Sequence, residues 1–348
     1  MTHASRTTLI IGATGSFGAH ATCALAAHGW RIRALARDPA AAARKLGAAM
    51  PIEWIAGDAM KADDVAAAAR GASVIIHAAN PPGYRNWRGL ALPMLANTIA
   101  AANAQGARIV LPGNVYNYAP DAGPAIGEDA PQAPATRKGR IRVEMEEKLR
   151  DASRDGVKVL VLRAGDYFGP AAPNSALAWL TGRRGGRITK VYSPGPAPHA
   201  FAYLPDLADV LGRLLEREDE LGDFESFHFA GHWLARPDDL VGAVRRVTGD
   251  GAIPLRAFPW PMVIAASPFV TTLRELLEMR YLWRRPIGLC DAKLRAFLGE
   301  VSATPLDEAV RAALSDFDVA MPEYGAAKSW TAAGAAPYIA GDGPAYAL

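Results

Sequence analysis

Cysteine is nearly absent, Cys23 and Cys290 being the only two in 348 residues. Two thiols imply no disulfide framework; both read as small buried hydrophobes, and the chain reads as cytoplasmic. A large excess of one charge is missing as well: the formal net charge is +3, and acidic residues interrupt the basic ones along Arg142–Arg150. Nucleic acid is therefore not an expected partner. No apolar run is long enough to span a bilayer, because the longest, Phe258–Val270, is broken by Pro259, Pro261 and Pro268. It reads as part of a substrate-side lobe, with peripheral membrane contact the lesser alternative, so no membrane partner is expected. An apolar leader is not seen before the first strand, and export is not expected. The histidines carry no HExxH pattern, and His228 and His232, four apart, fall on a strand rather than on one helix face. No metal site is expected, and no GxSxG elbow points to a hydrolase.

What is present is a repeated strand and helix pattern. Short apolar runs at Thr8–Ile11, Arg31–Ala36, Ile52–Ile55, Ser73–His77, Arg108–Leu111 and Val157–Leu162 predict strands. Between them, Ser16–His28, Pro39–Leu46, Ala62–Ala69, Arg88–Gln105 and Lys138–Ala152 predict helices, followed by Leu204–Glu216 and a seventh strand at Ser226–Ala230. Such alternation implies an α/β fold with a doubly wound parallel sheet of the Rossmann type, because parallel strands need long crossovers. A smaller mixed C-terminal lobe would carry the substrate. The expected division is 1–172 and 199–231 for the nucleotide domain, with 173–198 and 232–348 for the lobe and a tail. Met321–Leu348, rich in Ala, Gly and Pro, is expected to wrap the surface or to be partly disordered.

The first strand runs into Gly12-Ala13-Thr14-Gly15-Ser16-Phe17-Gly18 and then into a helix. Glycines at this spacing permit a sharp turn, backbone approach to a pyrophosphate and close helix packing, with the phosphate at the helix N-terminus. With GD at 57–58, HAAN at 77–80, LRAGDYFGP at 162–170 and FAYLPDLADVL at 201–211, which carries Asp206, the chain resembles the extended and atypical short-chain dehydrogenase/reductase superfamily. The resemblance is good over about 7–231 and loose beyond. It implies that Gly12, Thr14, Gly15, Ser16, Phe17 and Gly18 hold the cofactor phosphates. Asp58 and Ala59 would meet the adenine, and Ala78, Ala79 and Asn80 would line the cofactor from the fourth strand. Cofactor choice falls at the end of the second strand, where Ala36-Arg37, with Arg33 earlier, replaces the usual acidic residue. A guanidinium there favours a 2′-phosphate, so NADP is the expected cofactor and NAD the second choice.

Family members carry a Ser or Thr after the fifth strand and a YxxxK pair on the next helix. Aligning Val115-Tyr116 with that pattern puts Pro112 at the hydroxyl position. Thr136 and Arg140 then occupy the YxxxK spacing, with Glu144 four residues on. Thr136 is no proton donor at the acidity a phenol offers. Arg140 is expected to bind the nicotinamide ribose and to act in catalysis, together with Tyr116 and Asn114. Tyr118, Tyr167, Asp166 and Tyr84 are further candidates for a proton, and Trp233, Phe258, Trp260, Tyr281 and Trp283 suggest an apolar acceptor pocket. The leading expectation is an NADP(H)-dependent oxidoreductase acting on a small organic carbonyl or enone, as monomer or homodimer. The alternatives are a non-catalytic NADP-binding regulatory protein and a nucleotide-sugar epimerase or dehydratase with a displaced catalytic residue.

Overall fold

The computed structural model describes residues 6–47, 50–81, 86–301, 303–317, 319 and 321. Tyr84 and the tail beyond Met321 lie outside the described residues. Seven strands form the central sheet: β1 (Thr7–Ile11), β2 (Arg31–Ala36), β3 (Ile52–Ala56), β4 (Val74–His77), β5 (Arg108–Asn114), β6 (Val159–Ala164) and β11 (Phe224–Phe229). Their order is β11-β6-β5-β4-β1-β2-β3, and every pairing is parallel. Strands such as Val-Leu-Val-Leu-Arg-Ala in β6 are buried at every residue, as a sheet covered on both faces requires.

On one face α1 (Ser16–Ala27) packs beside α7 (Leu204–Glu216), where Leu25, Leu207 and Leu211 join Ile10, Val110 and Leu160. The other face is covered by α3 (Ala62–Ala69), α4 (Trp87–Gln105) and α5 (Arg137–Arg154), through Leu95, Ile141 and Leu149. α2 (Pro39–Leu46) starts on Asp38, whose carboxylate accepts from Ala41 N, with Pro39 preset for the first turn. Thr136 caps α5 by accepting from Gly139 N at 2.9 Å.

The fifth strand is longer than the apolar run predicts. β4 pairs with β5 only as far as Val110, whereas β6 pairs on through Pro112, Gly113 and Asn114. Proline is tolerated there because one side of the strand has no ladder to fill.

The second lobe grows from the sheet's C-terminal edge. β7 (Asp166–Phe168) follows β6 after the single residue Gly165, and pairs with β10 (His199–Tyr203). β12 (His232–Leu234) follows β11 after Ala230 and Gly231, and completes that small sheet. A Cβ on Gly165 would strike the Ala200 carbonyl, and one on Gly231, which has φ +63°, would strike Phe201. A third sheet joins β8 (Thr181–Arg184), β9 (Arg187–Ser193) and β13 (Leu255–Ala257). Helices α6 (Ala176–Leu180), α8 (Asp238–Thr248), α9 (Trp260–Ala266), α10 (Thr271–Glu278), α11 (Ala292–Leu298) and α12 (Leu306–Ser315) complete the chain.

Candidate active site

The glycine turn lies where β1 meets α1. Gly12 has φ +95°, and a Cβ there would come within 2.7 Å of the Ala78 and Ala79 backbone. A Cβ on Gly18 would strike the Gly12 carbonyl. Fold packing therefore accounts for both. Gly15 is different: it is exposed, its φ of −79° suits any residue, and a Cβ would meet only Gly12 O at 3.3 Å. Packing gives little reason for its missing side chain. No side chain caps α1, and its first turn holds no acidic residue, so its N–H groups face outward with the positive end of the helix dipole. Thr14 and Ser16 are half-buried beside the turn, and Phe17 is buried against Tyr167.

Along the same edge, Arg37 is exposed after β2 and has no ion pair or hydrogen-bond partner among the described residues. Arg33 is occupied elsewhere, donating to the carbonyls of Ala68 and Arg70 and to Glu53. Asp58 caps its own turn by accepting from Met60 N, and Asn97 fixes the Ala59 carbonyl. Ala78 and Ala79 are half-buried after β4, and Asn80 accepts from the Trp87 indole at 2.6 Å.

Helix α5 departs from the T-x-x-x-R register. Thr136 is the helix cap, Arg140 is exposed, and Glu144 pairs with Arg88 at 2.7 Å. Lys138 and Glu146 are buried and Arg142 between them is half-buried, again four apart. Arg142 donates to the Pro112 carbonyl at 3.3 Å, lies over the Trp87 ring at 5.1 Å, and has a buried Nε with no partner. Lys138 is buried, with Nζ 2.8 Å from Glu275 and 3.5 Å from Glu278 of α10. Glu146 receives Arg163 through two hydrogen bonds of 3.0 and 2.6 Å. Burial would raise the Glu146 carboxyl, but Arg163 outweighs it and holds the pKa below the usual range. Sequence spacing alone could not choose between the registers, because Thr-Arg-Lys-Gly-Arg-Ile-Arg offers a four-residue step from either start.

The other proton candidates are engaged. Tyr118 is fully buried on His228 at 2.8 Å, and burial pushes its pKa up to about 12. Tyr167 donates to the Gly113 carbonyl and is likewise pushed up to about 12. Asn114 accepts from Tyr116 N as the cap of a short turn, and Tyr116 packs against the buried cluster that includes Val115, Tyr118 and Met279. Asp206 accepts from both N and Oγ1 of Thr304, tying α7 to the C-terminal segment. Among the described residues no three His, Cys, Asp or Glu side chains could hold a metal ion.

Sequence reading placed Tyr281 in an apolar pocket; the structure gives its hydroxyl a different setting. That oxygen is buried with no partner, near Asp166 and Glu278, and burial raises its pKa above the ordinary value. The turn Arg280–Trp283 that carries it is held by His199, which stacks on Trp283 at 3.6 Å, approaches the Leu282 carbonyl at 3.3 Å and pairs with Asp166 at 2.8 Å. Tyr281 borders an open depression of about 560 Å³ with Thr136, Arg140, Arg274 and Glu278. Trp260, by contrast, is buried, packed on Phe258 and bonded to the Pro194 carbonyl.

Comparison with known proteins agrees with this architecture. No curated protein matches the chain in sequence. The Bordetella bronchiseptica enzyme WbmH, solved in complex with NAD+, superposes with a TM-score of 0.69 at 19% identity, covering 90% of this chain and 98% of that one. The UDP-Glc/GlcNAc 4-epimerase of Campylobacter jejuni superposes at 0.67 and 18% identity, covering 89% and 98%. The UDP-glucuronic acid 4-epimerase of Bacillus cereus, in complex with NAD, does so at 0.69 and 14%, covering 89% and 97%. The family model described as the NAD dependent epimerase/dehydratase family matches residues 8–229, and the chain belongs to that family.

Proposed function

We propose that this protein is an NADP(H)-dependent oxidoreductase that acts on a carbonyl or activated double bond of a small organic molecule. The observation that carries the reading is the exposed Gly15 at the uncapped start of α1, with the unpaired Arg37 on the same sheet edge. Gly15 leaves its place open to a pyrophosphate, which the α1 N–H groups would bind. Arg37 would bind a 2′-phosphate through charge-assisted hydrogen bonds, and the carboxylate next to it in sequence, Asp38, is turned to the cap of α2. Arg142, rather than Arg140, would hold the nicotinamide ribose, its Nε being buried and unsatisfied where β4 and β5 end.

A bound nicotinamide supplies or accepts a hydride ion. The chain's own part is to hold and move the accompanying proton. On α5 the family's phenol position falls on Lys138, and Glu275 and Glu278 hold that ammonium. Tyr281, which borders the depression with Thr136 and Arg140, would offer a phenol, protonated at neutral pH and carried on a turn held by the Asp166–His199 pair. Its hydroxyl is buried, so a substrate that opened a path to it from the depression would take the proton onto its oxygen or carbon during reduction, and water admitted with it would return one.

A second reading, an NADP-binding regulatory protein without turnover, is favoured by the ion-paired Lys138. A third reading, nucleotide-sugar epimerase or dehydratase chemistry, would need its catalytic residue displaced from α5, where Lys138 is ion-paired. Calorimetry with NADPH and NADH, followed by NADPH oxidation against carbonyl and enone panels, tests these readings. Tight NADPH binding with turnover supports the first, binding without turnover the second, and binding of neither cofactor rejects all three.

A further inference from the structure

The least soluble-looking surface of the molecule is the pair α9 and α10 with the turn between them. From Ala257 to Leu273 the sequence contains no Asp, Glu, Lys or Arg. Trp260, Val263 and Leu273 supply the inward face and are buried together. The outward face is apolar too: Met262 is 61% exposed, Ile264 49%, Val270 40% and Phe269 88%, with Pro261, Ala265 and Pro268 exposed among them. A short helix and turn that are apolar both inward and outward meet something other than water.

Cations frame this patch. Arg256 and Arg274 bracket the uncharged stretch, and Arg284 and Arg285 follow α10; all four are exposed, and none has an ion pair among the described residues. The acidic residues of α10 do not balance them, because Glu275 and Glu278 are paired with Arg137 and Lys138. A self-complementary contact between two copies would bring the same arginines face to face, which like-charge repulsion disfavours. An apolar tip with a basic rim instead fits a surface that is apolar inside and anionic outside.

We propose that the α9–α10 tip docks the protein on an anionic lipid bilayer, with Phe269, Met262 and Ile264 entering the headgroup boundary and the arginines meeting lipid phosphates. This departs from the expectation of no membrane partner. Docking is peripheral, because no helix among the described residues is long and apolar enough to cross a membrane. The depression beside Tyr281 shares Arg274 with the docking rim, so the two face the same side of the molecule. The docking does not rest on the proposed function.

The test is co-sedimentation of the full chain with vesicles of phosphatidylcholine alone, or with roughly one-third phosphatidylglycerol. Binding to the mixed vesicles at least about ten-fold stronger than to the neutral ones is expected. The double variant Ile264→Asp with Phe269→Asp should lose about ten-fold or more of it while keeping the parent's circular dichroism and NADPH affinity. Arg274→Gln with Arg284→Gln and Arg285→Gln should remove the preference for anionic lipid. Failure of the parent to sediment with mixed vesicles overturns the proposal, as does full binding by the double Asp variant. A parent that is dimeric by sedimentation velocity, becomes monomeric in that variant and ignores vesicles would assign the tip to a second copy instead.

Discussion

Lys138 and Glu275 meet in the interior, Nζ lying 2.8 Å from the carboxylate and 2.6 Å from the Glu275 carbonyl. The pair joins the first turn of α5 to α10, and so the nucleotide side of the cleft to the lobe. Its side chains are 1% and 5% exposed. Glu275→Gln should cost about 3 kcal/mol in urea unfolding, because it removes the carboxylate at 2.8 Å from a buried ammonium and leaves Glu278 at 3.5 Å. A loss below about 1 kcal/mol would mean that water reaches the pair.

Gly15→Val should abolish dinucleotide binding in calorimetry while leaving the circular dichroism spectrum and melting temperature near those of the parent. The φ of −79° tolerates valine, and the single close contact, Gly12 O at 3.3 Å, asks for a shift of only a few tenths of an ångström, so the fold has little to lose. Gly12→Val, in contrast, should unfold the protein or lower its melting temperature sharply. Retained binding in Gly15→Val would move the pyrophosphate elsewhere.

Arg37→Ala should weaken NADPH about ten-fold or more and leave NADH almost unchanged, as expected for loss of a charge-assisted hydrogen bond of roughly 1.5–3 kcal/mol. Equal weakening of both cofactors would assign Arg37 to shared contacts or to the fold.

The two helical registers make opposite claims. Arg142→Ala should raise the cofactor dissociation constant by about ten-fold, whereas Arg140→Ala should change it no more than a few-fold. Tyr281→Phe should lower turnover by a factor on the order of 10² with little effect on cofactor affinity. Loss of binding in Arg140→Ala alone would restore the T-x-x-x-R register.

Three buried imidazoles set the acid limit of stability. Burial is the main cause in each: the pKa falls from 6.5 to about 4 for His20 and His228, and to about 3 for His77, where Arg142 adds to the effect. The folded chain keeps these rings neutral while the unfolded chain protonates them below pH 6.5. Their contribution is therefore complete above that pH and is lost as pH falls toward 4. Each should remove roughly 2 kcal/mol between pH 7 and pH 5 in urea unfolding. His20→Leu should recover about one such share, and a flat profile over that interval would show that the rings are protonated in the fold.

Much of the architecture was legible because it is local. The apolar runs of β1, β2 and β4 and the Asp38-Pro39 start of α2 announce themselves within a few residues. β5 was read short at Leu111, since a proline ends a strand unless its neighbour has already stopped, and that is a fact about β4. The inward phase of α5 was hidden because a buried Lys138 makes sense only with Glu275, 137 positions away. Tyr281 was legible as an aromatic of the lobe. Its unsatisfied hydroxyl was not, because that depends on where Asp166 and His199 place its turn.

Gly165 is one residue long as a joint, and Ala230-Gly231 is two. Two layers of sheet are thus sewn together at two points by very short joints. Any rotation of the lobe that opened or closed the cleft would have to be absorbed at Gly165 and at Ala230-Gly231 together. The same stitching makes the lobes inseparable in the gene: β7 and β10 precede β11 in the chain, while β12 follows it. Any single cut that isolates the nucleotide-binding sheet also tears the smaller one.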